Sequence, residues 1–395
     1  MATTPALYDT LWAVFSTNRQ VWGDVRRLRT FLWMMVGLIM EGAVHLPDWA
    51  PYVVSRARQA ASTVRRFARW LHNSRIDPHR IWRAYVQEVL ASWNGEVTVV
   101  LDTTLLWNVV CWIRVSIVYR GRALPIAWRL IRHRSARVGF RDYRPVLEQA
   151  VQVLPEHLEV LFLADRGFAD RALIAWLQAQ GWHWRLRLKR GVKVYRPRHG
   201  WRPVSAFLPG YGHALCLRGV FVDPTEKMGP FHLAVGWPFE SQDPWYLLSD
   251  EPTTPETFAE YRNRMLIEAE ILDNKSNGFH IHRSVLRDPQ ALDRLGLVLA
   301  AVTLFLVAQG VAVVERQERR TVDPHWYRGC SYLKIGWRYV KRALFHPTLP
   351  LLQRLTLPPD PDPLPAMASR AQANQTRRIR FYHYRIVHAQ SFVSQ

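Results

Sequence analysis

The feature that most constrains this chain is a pair of apolar strand-like runs that each carry an aspartate. Glu96 to Thr104 reads EVTVVLDTT, a β-branched run with Asp102 inside it. Branched side chains are stiff at χ1 and fit the pleated, half-buried surface of a strand. A charge inside such a run is costly unless a partner neutralises it or it stands at a functional edge of the sheet. The second run, Leu158 to Ala164 (LEVLFLA), ends at Asp165 in the string LFLADRGF. Ends of strands beside a change in topology are where open sheets hold ligands. Taken singly, each aspartate reads equally well as a turn former or a salt-bridge partner.

The segments between and after these runs extend the pattern. Trp112 to Tyr119 (WIRVSIVY) and Ala123 to Trp128, separated by a turn at Gly121, read as two antiparallel strands. Tyr143 to Val153 has helical spacing, and Asp170 to Gln180 (DRALIAWLQAQ) is a helix stopped by Gly181. Trp182 to Leu188 alternates as a strand does. Three strands, helix, strand, helix, strand is the opening order of a ribonuclease H-like fold, an α/β mixed sheet flanked by helices.

Five regions follow from this reading. Residues 1–94 are helical, with arginines clustered in SRARQAASTVRRFARWLHNSR and breaks at Asp48–Pro51 and Ile76–Pro78. They suit a small DNA-binding domain or, equally, a basic helix face packed on the main body. Residues 95–189 are the first part of the ribonuclease H-like sheet domain. Residues 190–248 are short strands and turns, a β-rich insertion. Residues 249–320 return to that domain with a long helix from Thr254 to about Asn274. Residues 321–395 contain a proline-rich linker, LPPDPDPLP, and a basic tail, RRIRFYHYR.

Charge narrows the partners. The chain of 395 residues has a formal net charge of +21. A polyanionic partner is the commonest reason to tolerate such an excess. Arginine supplies nearly all of it; this suits bidentate phosphate contacts, although a GC-rich genome produces the same bias. The three cysteines, Cys111, Cys216 and Cys330, form no C-x-x-C pair and indicate a reducing, cytoplasmic setting. Phe31 to Met40 is too short to span a bilayer, and Leu297 to Val314 reads as a central buried helix rather than a membrane span. No G-x-x-x-x-G-K-[ST] loop, H-E-x-x-H pair or G-x-S-x-G elbow is present, so neither ATP use nor those hydrolytic chemistries are indicated.

The long helix carries the most specific pattern: Tyr261, Arg264, Glu268 and Lys275, spaced Y-x2-R-x3-E-x6-K. At ~100° per residue these four fall within roughly 60° of one another if the helix is continuous. A stripe of two cations, a carboxylate and a phenol is expected to face a charged ligand rather than the core.

At this point the sequence resembles a known family, the DDE transposases of bacterial insertion sequences with the Y-R-E-K signature (insertion sequence family four). The resemblance rests on LDTT at Asp102, LADRGF at Asp165, DPWYLLSDEP, YRNRMLIEAEILDNK and, more weakly, SYLKIGWRYV. It covers about residues 95 to 340. It implies a ribonuclease H-like fold with a β-rich insertion before the glutamate helix. It also implies a metal-binding catalytic triad of Asp102, Asp165 and Glu268. Carboxylates are natural ligands for two Mg²⁺ or Mn²⁺ ions about 3.5–4 Å apart, which serve the attacking and leaving oxygens of phosphodiester chemistry. Tyr261, Arg264 and Lys275 would hold backbone phosphates. Trp245 would stack on an extruded base, the alternative being a core residue of the strand PWYLLSD. Thr103 and Thr104 are candidates for hydrogen bonds beside the metals, and Arg166 is open between a structural and a phosphate-binding role.

The implied activity is cleavage and strand transfer at the terminal inverted repeats of the element and into target DNA. It is cut-and-paste through a hairpin, by a homodimer on double-stranded DNA, with no ATP and no membrane. Three alternatives stand beside it: a catalytically inactive DNA-binding relic, a ribonuclease H-like nuclease or resolvase that cuts junctions without joining strands, and a basic membrane-associated protein resting on the segment 297–314.

Overall fold

The structure is a computed structural model and describes residues 4–197, 199–276, 278–326, 328–346, 348–359 and 379–387. Most of the proline-rich stretch, residues 360–365, and Arg377 and Arg378 of the basic tail lie outside these described residues.

In chain order the helices are α1 (Thr4–Phe15), α2 (Val25–Glu41), α3 (Leu46–Trp49), α4 (Ala60–Leu71) and α5 (Pro78–Leu90). The strands β1 (Glu96–Leu106), β2 (Val110–Tyr119) and β3 (Arg122–Arg132) follow, then α6 (Phe140–Val153), β4 (Glu159–Ala164), α7 (Arg171–Gln180) and β5 (His183–Arg187). The β-rich stretch holds β6 (Lys193–Arg196), β7 (Gly200–Pro203), β8 (His213–Val222), β9 (Met228–Gly236) and β10 (Trp245–Ser249). The remainder is α8 (Glu256–Arg262), α9 (Met265–Lys275), α10 (Pro289–Glu315), α11 (Tyr332–Ala343) and β11 (His383–Val387). Contacts divide the chain into two compact units: Met1–Gly95, Thr103–Leu158 and Ile267–Ala368 form one, and Glu96–Asp102, Glu159–Leu266 and Ser369–Gln395 form the other.

The first unit is built around α10. Asp288 caps its N-terminus by accepting from the Ala291 N–H, and Pro289 occupies its first turn, where a missing N–H costs nothing. By length and apolarity α10 could cross a membrane, yet 89% of its apolar window is buried within the protein. The N-terminal helices supply part of that cover. Leu28, Phe31, Leu32 and Met35 of α2 are fully buried. The Arg294 guanidinium donates to the carbonyls of Ile76 and Leu71, and the Trp82 indole donates to Pro125 O on β3. Residues 1–94 therefore share a core with later segments. On the other side α11 crosses α10 backbone to backbone: a Cβ on Gly310 would strike Tyr332 O, and one on Gly336 would strike Leu306 O. That crossing is why glycines stand inside both helices despite their cost to helix stability. In this unit the strands run in the order β3-β2-β1, with β2 and β3 antiparallel.

The second unit is a mixed sheet in the order β1-β4-β5-β10-β9-β8-β6-β7, with β11 added parallel to β8. β1 and β4 are parallel, as are β4 and β5; β10 turns antiparallel against β5. Residues 190–248 thus continue this sheet in register, Leu247 opposite Arg187, rather than forming a body of their own. β10 is buried at every position between β5 and β9, and edge-to-edge pairing satisfies backbone groups that a separate body would leave open. α7 starts at an Asp170 cap and ends at Gly181, whose φ of 68° is the left-handed value glycine tolerates.

Candidate active site

Two of the expected acids come together through strand register. β1 and β4 pair from Glu96↔Glu159 to Leu101↔Ala164, so Asp102 and Asp165 are the next residues on neighbouring parallel strands. Adjacent strands lie roughly 4.8 Å apart, which sets the two residues on neighbouring backbone positions at the C-terminal end of the pairing. Both are half-buried. This is the edge of a parallel sheet at which ligands are held.

The same unit brings two more of the expected residues to them. The Tyr261 hydroxyl donates to Asp165 Oδ1 at 3.4 Å, and the Arg264 guanidinium approaches Asp102 Oδ2 at 3.5 Å. The route by which they arrive differs from the expected one. The single helix over 254–274 is broken: Asn263, Arg264 and Leu266 donate to carbonyls three residues back, a tightened turn that separates α8 from α9. Burial of Tyr261 and Arg264 beside the aspartates, at 0% and 6% exposure, accompanies the break. The four-residue stripe therefore does not run along one exposed face. Tyr261 belongs to an apolar cluster with Trp245, Phe258, Leu247 and Ala234. Burial pushes its phenol pKa up, Arg264 opposes this and Asp165 adds to it, so the hydroxyl is a neutral donor. In this structure the Tyr261 side chain is buried and its hydroxyl is engaged with Asp165 rather than exposed at the surface.

Trp245 takes the core alternative. It is 2% exposed, packs edge-on against Tyr261 with ring centroids 5.4 Å apart, and donates its indole N–H to Ser241 Oγ at 2.8 Å. Neither ring face is open to a base in this arrangement.

Glu268 and Lys275 lie on α9 in the first unit. Seven residues apart, they share a helix face. Glu268 is exposed. Lys275 is half-buried and donates to Thr104 Oγ1 at 2.9 Å and Leu105 O at 3.1 Å; burial, aided by Arg114, lowers its pKa. Thr104 thus faces inward, while Thr103 donates to Ala136 O and Arg166 is exposed.

Sequence reasoning passed over the polar groups beneath α9. Glu270, inside IEAEIL, is buried against Arg114 of β2 at 2.9 Å and accepts from Ser116 Oγ at 2.7 Å. A charged residue inside the apolar string WIRVSIVY was the available signal. Among the described residues, two tight groups of side chains could hold a metal ion: Asp323, His325 and Cys330, and His183, Asp250 and Glu251. Asp323 accepts from Arg319, His325 and the Gly329 and Cys330 amides, the pattern of a carboxylate that organises its own loop. His183, Asp250 and Glu251 surround Arg185, which also pairs with Glu260 at 3.0 Å.

Fold and register together define a mixed α/β protein with two carboxylates where the pairing of two parallel strands ends, each met by a donor from one following segment. Residues 109–305, just under half of the chain, match the family model described as "Transposase DDE domain", and a DDE-type transposase is the class this match supports. The matched stretch contains Asp165 and Glu268, and Asp102 lies shortly before it. No curated protein matches the chain. Among solved structures, a piggyBac transposase in a synaptic complex with hairpin DNA is similar at 11% identity, over 88% of this chain and 80% of that one, with a TM-score of 0.46.

Proposed function

We propose that the chain is a DNA transposase of the Y-R-E-K insertion-sequence group, with Asp102, Asp165 and Glu268 as its metal-binding acids. The observation that carries this is that Asp102 and Asp165 directly follow the last β1–β4 pair, each met by a residue of the YRNR segment. The succession β1, β2, β3, α6, β4, α7, β5 supports a ribonuclease H-like reading of the catalytic part. Glu268 enters through the sequence pattern alone.

The donor set suits a divalent ion. Two carboxylates on neighbouring backbone positions, one already facing a guanidinium, are hard oxygen ligands in a place that calls for positive charge. Mg²⁺ or Mn²⁺, two ions in the full site, would supply Lewis-acid stabilisation of charge on the phosphate oxygens. The chain's own residues do the positioning. Tyr261 fixes the orientation of Asp165, Arg264 balances Asp102, and exposed arginines hold the backbone of double-stranded DNA. In the reaction, a water oxygen attacks phosphorus at the end of the terminal inverted repeat and the 3′-oxygen leaves. That 3′-hydroxyl then attacks the opposite strand as a hairpin intermediate, and, after reopening, the target. A homodimer brings two ends together, in the bacterial cytoplasm.

The test is direct. Purified protein is incubated with Mg²⁺ and DNA flanking its own gene, and the cut ends are mapped. Asp102→Asn, Asp165→Asn and Glu268→Gln should each slow cleavage by at least about a thousandfold, the loss of several kcal/mol of transition-state stabilisation. End binding should change little. Near-normal cleavage by any variant removes that residue from the triad, and binding without cleavage by the parent chain marks a relic.

A further inference from the structure

A cavity of about 370 Å³ opens in the second unit between the β-rich stretch and the C-terminal strand. Its wall carries Arg196, Arg202 and Arg385 together with His199, His213 and His383, and no carboxylate lines it among the described residues. The apolar floor comes from Phe207, Leu208, Ala214 and Leu215.

The arrangement is built by the fold. β11 lies parallel to β8 with His383 opposite His213 and Arg385 opposite Leu215, which brings two tail residues to the cavity mouth. Arg196 ends β6, and the Arg202 guanidinium is steadied by a bond to His199 O. His199 and His213 each give Nδ1 to a backbone carbonyl, which fixes the rings. Burial lowers the pKa of Arg196, and the like charge of Arg385 lowers it further. Guanidinium groups set against one another with no acid between them raise the energy of the empty cavity, and an oxyanion relieves it. Arginine forks match the oxygens of a tetrahedral phosphate.

We infer that this cavity is a phosphate-binding pocket, closed by the C-terminal strand, that grips one or two backbone phosphates of DNA away from Asp102 and Asp165. The DNA source rests on the proposed function; the phosphate chemistry does not, and free inorganic phosphate offers the same oxygens.

The experiment uses the full chain, the double variant Arg196→Ala/Arg385→Ala, and the conservative Arg196→Lys/Arg385→Lys. A fluorescent random-sequence duplex is titrated over a range of salt, inorganic phosphate binding is followed by calorimetry, and thermal unfolding checks the fold. The alanine pair should weaken duplex binding on the order of tenfold near physiological salt and reduce the log–log salt slope by about 2, while the lysine pair keeps most of the slope. Loss of phosphate binding with unchanged duplex binding supports the pocket and assigns it to the free anion. Unchanged binding of both probes in a folded alanine variant overturns the inference. A parent chain that binds duplex through these arginines but never cuts it keeps the pocket and removes the catalytic reading.

Discussion

Asp293 shows what burial does to a single group in this chain. It sits near the start of α10, accepts the Leu130 N–H at 2.9 Å, and is pushed by burial from the usual 3.8 up to about 7. The folded state therefore binds a proton that the unfolded state has lost between about pH 4 and 7, so this carboxyl makes the fold less stable as pH rises through that window. His79, held by burial down to about 4 from 6.5, acts in the opposite direction over the lower part of the range. The raw profile of the parent chain is thus blunted, and a difference measurement isolates Asp293. The melting temperature of Asp293→Asn relative to the parent should rise from about pH 4 to 7 and level off above it. A difference that does not change with pH would show that the carboxyl titrates normally. None of this was legible in PQALDRLG, because exposure, not residue type, moves the pKa.

At the scale of the element, α9 is held by polar groups rather than by an apolar stripe. The Arg114 and Glu270 side chains are 1% and 3% exposed, and burial raises the Glu270 pKa while Arg114 and Ser116 oppose it. Removing one partner leaves the other charge stranded, at a cost of about 3–5 kcal/mol, whereas apolar replacement of both is often close to neutral. Glu270→Leu alone should therefore lower stability by that amount in urea unfolding, and Arg114→Met/Glu270→Leu should recover most of it. Strictly additive losses would mean the two residues do not act as a pair. This contact ties the helix that bears Glu268 to β2, so on the proposed role of Glu268 the single variant should also slow cleavage. The break between α8 and α9 belongs here too. Periodicity over YRNRMLIEAEILDNK pointed to one continuous helix, since nothing in the residue types, no proline or glycine, marks a stop. Three-residue hydrogen bonds around Asn263 and the burial of Tyr261 and Arg264 made the break.

At the scale of the whole molecule, the net charge of +21 and the few acids at the sheet edge have separable roles. On the proposed function, arginines would bind the polyanion in a salt-dependent way and the acids would hold the metal. Chelation with EDTA should abolish cleavage and leave duplex binding nearly intact, while added salt should weaken binding steeply with or without metal. Cleavage that persists in EDTA would set aside the metal-dependent reading. Each compact unit is assembled from three separate stretches of chain; of the boundaries at 94, 189, 248 and 320 only the first falls at a unit limit, Gly95. Composition changes along the chain mark changes of element, whereas a compact unit is defined by contacts between distant segments.

The sequence alone determined strands β1 to β5, the ends of α7, and the identity of Asp102 and Asp165 as charges out of place in apolar runs. These follow from local rules: β-branching, capping and the cost of a buried carboxylate act within a few residues. Only the tertiary structure decided that the two aspartates stand side by side, that Tyr261 and Trp245 are interior, and that the β-rich stretch continues the sheet. Each of those depends on pairing and packing between residues many positions apart, and no local periodicity encodes which distant surface a side chain will meet.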